Sequence, residues 1–100
     1  MRDSMANVEF HPAALTELLT ATDWYVERSS TAAGEFVREV QHAAQRIAEN
    51  PERYPRTRGG RRRFVLLNFP FDLIYRILTE GIEIVAIAHH SRRPGYWQRR

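Results

Sequence analysis

The sequence predicts an α+β domain in which one strand and a helical hairpin precede a three-stranded antiparallel meander. Two observations carry that prediction. Apolar residues recur at helical spacing as far as Asn50-Pro51, then give way to short runs rich in aromatic and β-branched residues. The 100-residue chain also holds no internal repeat, low-complexity tract or linker that would divide it. Residues 1–100 therefore read as a single domain, with 1–6 and 98–100 as loose ends.

Val8-Glu9-Phe10 is the first strand. His11-Pro12 then opens a helix, because proline's fixed φ suits a first helical turn. Along it Leu15, Leu18, Leu19, Thr22, Tyr25 and Val26 recur at helical spacing to form one apolar face, and Trp24 and Tyr25 are expected in the core. Ser29-Ser30-Thr31 interrupts the pattern and supplies hydroxyl caps for a second helix. The second helix carries Ala33, Phe36, Val37, Val40, Ala44 and Ile47 as its stripe. Asn50-Pro51 stops it, since a residue before proline avoids the α region.

Residues 64–67, 71–78 and 82–88 follow as strands. Thr79-Glu80-Gly81-Ile82 predicts a tight hairpin, with Gly81 taking a positive φ. In the last strand Ile82, Ile84, Ala86 and Ala88 share one face, while Glu83, Val85, Ile87 and His89 share the other. That strand is expected to be covered on both sides.

Composition narrows the function. Apolar residues are 43% and charged residues 27%, the balance of a globular protein, and no apolar run approaches a membrane span. The first residues lack the basic-then-apolar layout of a signal peptide, so a cytoplasmic location is expected. With no cysteine there is no disulfide framework, thiolate site or cysteine nucleophile. His89-His90 without a nearby third ligand makes a poor chelate, so neither metal nor cofactor is expected.

The net charge of +3 conceals an asymmetry. Residues 1–50 hold four Arg against eight acids, net −4; residues 51–100 hold eleven Arg against four acids, net +7. All 15 basic residues are Arg, whose planar fork suits phosphate and carboxylate. Helices on one side of the sheet would leave the other side to the arginines. Arg58, Arg61, Arg62, Arg63, Arg76, Arg92 and Arg93, with Tyr96 and Trp97, are therefore the candidate target-binding residues. Strand alternation puts Arg61 and Arg63 on one face and Arg62 on the other. The run also reads as a charged edge strand guarded against aggregation, and Tyr96-Trp97 as simple packing of the tail onto the sheet.

Trp24-Tyr25, residues 32–36, Asn50-Pro51 with Tyr54-Pro55, Arg62-Arg63-Phe64, Phe69-Pro70-Phe71 running to Ile74-Tyr75-Arg76, and His89-His90 through Pro94-Gly95-Tyr96-Trp97 together resemble the RelE/ParE superfamily. These proteins are the toxin halves of bacterial type II toxin–antitoxin pairs. The resemblance implies a cognate antitoxin partner, a toxin–antitoxin hetero-oligomer and one of two activities. ParE-like members poison DNA gyrase and are not nucleases. RelE-like members are metal-free endoribonucleases that cut messenger RNA on the ribosome; in that case Tyr96, Arg76, Arg63 and His90 are the catalytic candidates.

Ribosome-dependent relatives carry basic residues where this chain holds Leu67 and Asp72. A carboxylate facing a phosphate is repulsive, which favours the ParE-like reading. A relative that keeps the fold and the antitoxin without toxicity is a third reading. In each case the antitoxin segment should be amphipathic, its apolar anchors meeting Leu15, Leu18, Leu19, Phe36 and Val40 and its acids meeting Arg63.

Overall fold

The computed structural model describes residues 7–100; the loose end expected at 1–6 lies outside the described residues. The element order is β1 (Asn7–Phe10), α1 (Pro12–Val26), α2 (Ser30–Glu49), a short 3-10 turn (Arg58–Gly60), β2 (Arg62–Val65), β3 (Phe71–Leu78) and β4 (Gly81–His89). One four-stranded sheet has the order β1-β4-β3-β2. β1 runs parallel to β4, and the remaining pairs are antiparallel. The predicted α+β architecture is the observed one. No helix among the described residues is long and apolar enough to cross a membrane.

Local chemistry sets the helix limits. His11 caps α1 by accepting from the Ala13 N–H at 3.0 Å, with Pro12 in the first turn. Ser29 Oγ accepts from the Ala32 N–H at 3.1 Å and caps α2, an interaction typically worth about 1 kcal/mol. Asn50 closes α2 ahead of Pro51.

The principal core lies between the helical pair and one face of the sheet. Phe36, Val40 and Ile47 of α2 pack there with Ala14 and Ala21 of α1 and with Leu73, Tyr75, Ile82, Ile84 and Ile87. Phe36 sits within about 5.2 Å of the ring centres of Tyr25, Phe69 and Phe71. Each such aromatic pair adds roughly 0.5–1.5 kcal/mol beyond area burial. Tyr75 is buried and donates its hydroxyl to the Pro51 carbonyl, and burial pushes its pKa up to about 12.

The structure corrects the reading of α1. Its buried stripe runs through Ala14, Leu18, Ala21 and Tyr25, leaving Leu15, Leu19 and Val26 exposed along the next stripe. Trp24, expected in the core, is half-exposed on the opposite side of the helix.

Two details of the sheet also depart from expectation. Ile74 pairs with Ala86 but Tyr75 pairs with Ile84, so Val85 is an extra residue in β4, a bulge. The bulge breaks the alternation: Ile82, Ile84 and Ile87 join the helix-side core, while Val85, Ala86 and Ala88 face the other way. Gly81 has no positive φ, because Thr79 and Glu80 form the hairpin tip and Gly81 already pairs with Leu78. It is needed for space instead: a Cβ there would collide with the backbone carbonyl of Asn7 on β1.

The sheet face away from the helices is not bare. The chain after β4 folds across it, burying Trp97 against Ile74, Val85, Ala86 and Ala88.

Candidate functional site

On that second face the chain forms an open hollow of about 610 Å³ between the rim of β2 and β3 and the segment after β4. Arg56 and Arg58 reach it from the loop before β2, Arg63 from β2, and Arg92 and Arg93 from beyond β4, with Asp72 the single acid in the lining. Asp72 alternates with Leu73 on β3 and so points away from the helices. Its carboxylate accepts from His90 Nε2 at 2.9 Å, and Arg63 Nη1 lies 3.9 Å away. The acid that counts against a phosphate in the sequence is thus already engaged by two basic groups. Arg56, Arg58 and Arg93 form no ion pair among the described residues.

The wall of this hollow is held by a second cluster. Glu17 on α1 accepts from the Tyr96 hydroxyl at 2.7 Å, from Arg100 Nη1 and Nη2 at 2.9 Å each, and from the Ile87 N–H at 2.9 Å. Arg100 also donates to the Val85 carbonyl at 3.1 Å. β1 ends at Phe10, opposite Ile84, so the edge of β4 beyond it has no neighbouring strand. Glu17 and Arg100 take up the groups on that edge. Burial would raise the Glu17 carboxyl, but the hydrogen bonds from Arg100, Tyr96 and Ile87 outweigh it and hold it below its ordinary value. The Tyr96 hydroxyl moves far upward through burial and its bond to Glu17. The Arg92 guanidinium lies over the Tyr96 ring, 3.8 Å from its centre. A hydroxyl so placed is a structural donor and is poorly suited to act as a base at neutral pH.

The structure divides the sequence-predicted residues. Arg58, Arg63, His90, Arg92, Arg93, Tyr96 and Trp97 line the hollow, although Trp97 does so as a buried support. Arg61, Arg62 and Arg76 do not join them. Arg62 lies on the helix side and donates to the Glu52 and Tyr54 carbonyls at 3.1 and 2.8 Å, tethering the loop after α2. Arg61 donates to the carbonyls of Gly59 and Arg100 at 2.8 Å each. Arg76 pairs with Glu83 at 2.6 Å towards the hairpin end of the sheet. It does face away from Tyr75 and the helices, but its charge is spent locally. Of the four catalytic candidates, Arg63, His90 and Tyr96 line the hollow and Arg76 lies outside it.

The antitoxin-facing candidates divide too. Leu15 and Leu19 are exposed and Leu18 half-buried, whereas Phe36 and Val40 are sealed in the core and cannot touch a partner. Arg63 lies across the sheet from that helical stripe. Among the described residues no group of three His, Asp or Glu is placed to hold a metal ion. The sequence reading missed Glu17 and Trp24 as surface features and left Arg56 out of the candidate set. α1 carries two acids, Glu17 and Asp23, and nothing in their spacing marks which one meets a strand edge.

A family model described as the ParE toxin of the type II toxin–antitoxin system parDE matches residues 8–94. The chain belongs to the ParE toxin family. Among solved structures it is similar to a chain of the chromosomal ParDE toxin–antitoxin system from P. aeruginosa, with 20% identity and a TM-score of 0.74 over 87% of this chain and 98% of that one. At that identity the likeness speaks for the fold. Comparison with curated protein sequences finds no match. As a ParE-like toxin the chain is one half of a type II pair, and an antitoxin is its partner.

Proposed function

We propose that this ParE-family toxin acts in the cytoplasm as a non-enzymatic inhibitor of DNA gyrase, seizing it through the arginine-lined hollow. The observation that carries this reading is the convergence of Arg56, Arg58, Arg63, Arg92 and Arg93 around one cavity on a wall clamped to α1. Such a surface raises local potential and speeds capture of an acidic or nucleic-acid-bearing target. The antitoxin would lay apolar side chains on Leu15, Leu19 and Val26 and bring acids to the arginines, closing the hollow by charge complementarity.

One observation favours a second reading, ribosome-dependent cleavage of messenger RNA. His90 is oriented by Asp72 inside the basic hollow, as a general base would be.

The deciding experiment is induced expression followed by two purified assays. Gyrase poisoning predicts filamentous cells and accumulation of cleaved DNA complexes during supercoiling. It also predicts that Arg56→Gln, Arg58→Gln and Arg93→Gln together abolish both effects while antitoxin binding survives in weakened form. Fragments of message that form only with ribosomes, and are lost in His90→Ala, would replace the gyrase reading.

A further inference from the structure

A second recess adjoins the arginine hollow. It is lined by α1 residues Thr16, Glu17, Thr20, Trp24 and Tyr25 and, on the sheet side, by Pro70, Phe71, Ile87, His89 and Arg92, with a volume of about 520 Å³. His89 and Arg92 line both cavities, so the two adjoin at these residues around the end of the sheet. The two differ in character: arginines dominate the first, aromatic rings the second.

Trp24 is the unexplained residue of this recess. A large aromatic side chain half-exposed on a helix is costly to leave wet, and its position does not serve the core. The ring is nonetheless held. The Arg28 guanidinium lies 3.7 Å from its centre and also donates to the Trp24 carbonyl at 2.9 Å, while Tyr25 meets it edge-on. Arg28 covers one face of the ring and does not line the recess, so the recess is met by the rest of the Trp24 side chain. Trp24 is thus a pre-oriented aromatic platform one step from a row of cations.

We propose that these adjoining cavities bind single-stranded nucleic acid, with phosphates along Arg56, Arg58, Arg63, Arg93 and Arg92 and one unstacked base on Trp24. A basic track beside an aromatic ring is the combination that holds single strands, since every base has a face to stack while phosphates supply sequence-independent affinity. A duplex satisfies only half of the site, because a paired base offers its edge and not its face. Arg92, shared by the two cavities and stacked on Tyr96, has the Glu17 carboxylate 4.0 Å from its Nη1, a long contact that leaves its remaining N–H groups to the phosphate joining the stacked nucleotide to the rest of the strand. The site shares its arginines with the hollow proposed for gyrase, but it concerns a ligand of the toxin itself, read out by direct binding and by Trp24 whichever macromolecule the toxin disables.

The test is a titration of the purified toxin with fluorescent oligo-dT, oligo-U and a duplex of equal length at low salt. Saturable binding of either single strand in preference to the duplex is expected, and preference for dT or U then tells whether DNA or RNA is the ligand. Trp24→Ala should weaken binding about 5- to 150-fold at an unchanged melting temperature. Trp24→Phe should retain most of the affinity. Arg56→Gln with Arg58→Gln and Arg93→Gln should lower the slope of log K against log salt by about two. Because Trp97 is buried, quenching of tryptophan emission on binding should come from Trp24 and vanish in Trp24→Phe. Absence of saturable single-strand binding overturns the proposal, as does duplex binding of equal strength that Trp24→Ala leaves untouched.

Discussion

Glu17 and Arg100, 83 positions apart, form a two-pronged ion pair that joins the first helix to the segment folded over the far face of the sheet. Both side chains are largely shielded from water, at 16% and 19% exposure, and each also bonds a backbone group of β4. Removing one partner therefore strands the other together with an unpaired strand edge. Glu17→Ala is expected to lower stability by about 1.5–3 kcal/mol in urea unfolding, the range for lost hydrogen bonds to charged groups. Arg100→Ala should cost a similar amount, and the double variant clearly less than the two combined. Additive losses would mean that the pair acts as two separate contacts.

The same pair makes stability depend on pH, with a sign that can be worked out. The folded-state carboxyl of Glu17 titrates below its ordinary value of 4.5, so the folded protein resists protonation that the unfolded chain accepts. The stabilisation is present in full above that ordinary value and is lost as pH falls through the lower, folded one. Melting curves from pH 7 down to pH 3 should show the gap between the parent and Glu17→Gln narrowing below about pH 4.5. A gap that stays constant to pH 3 would remove Glu17 as its source.

Local signals made most of the architecture legible. Ser29, Pro12 and Asn50-Pro51 mark helix limits because capping and proline sterics act within a few residues. The α1 face was misjudged because Leu15 and Leu19 share helical spacing with Leu18, and only the angle at which the sheet meets the helix selects the Ala14, Leu18, Ala21, Tyr25 stripe. The bulge at Val85 was invisible for a similar reason: an extra residue in one strand is defined by its partner, not by its own sequence. In the site, charge counting found the arginines but could not tell which had backbone carbonyls or Glu83 beside them. Arg61, Arg62 and Arg76 fell out on that ground.

The division of the helical residues into core and surface is testable as a contrast. Phe36 is fully buried against three aromatic rings, and Phe36→Ala should cost about 3–5 kcal/mol, enough to unfold much of a small domain. Leu19, at 58% exposure, should change stability by no more than about 0.5 kcal/mol when replaced by Ala. If Leu19 is an antitoxin contact, the same change should weaken the complex measurably by calorimetry. A Leu19→Ala variant that melts far below the parent would place that side chain in the core instead.

Gly81 allows a sharper distinction, between a glycine chosen for its backbone angle and one chosen for its lack of a side chain. Were a positive φ the reason, Gly81→Asn would be nearly harmless, because asparagine adopts that region more readily than other side chains. Its φ is not positive, and the Asn7 carbonyl occupies the place of any Cβ. Both Gly81→Ala and Gly81→Asn should therefore push β1 from β4 at a cost of about 1–3 kcal/mol, the range for forcing atoms into an occupied space. If the displacement runs the length of β1, amide exchange should quicken even at the far end of the pairing, at His11, whose N–H donates to the Ile84 carbonyl at 2.9 Å. An asparagine variant as stable as the parent, with His11 still protected, would show that β1 yields to the added atoms and that the close approach at Asn7 is not what requires glycine.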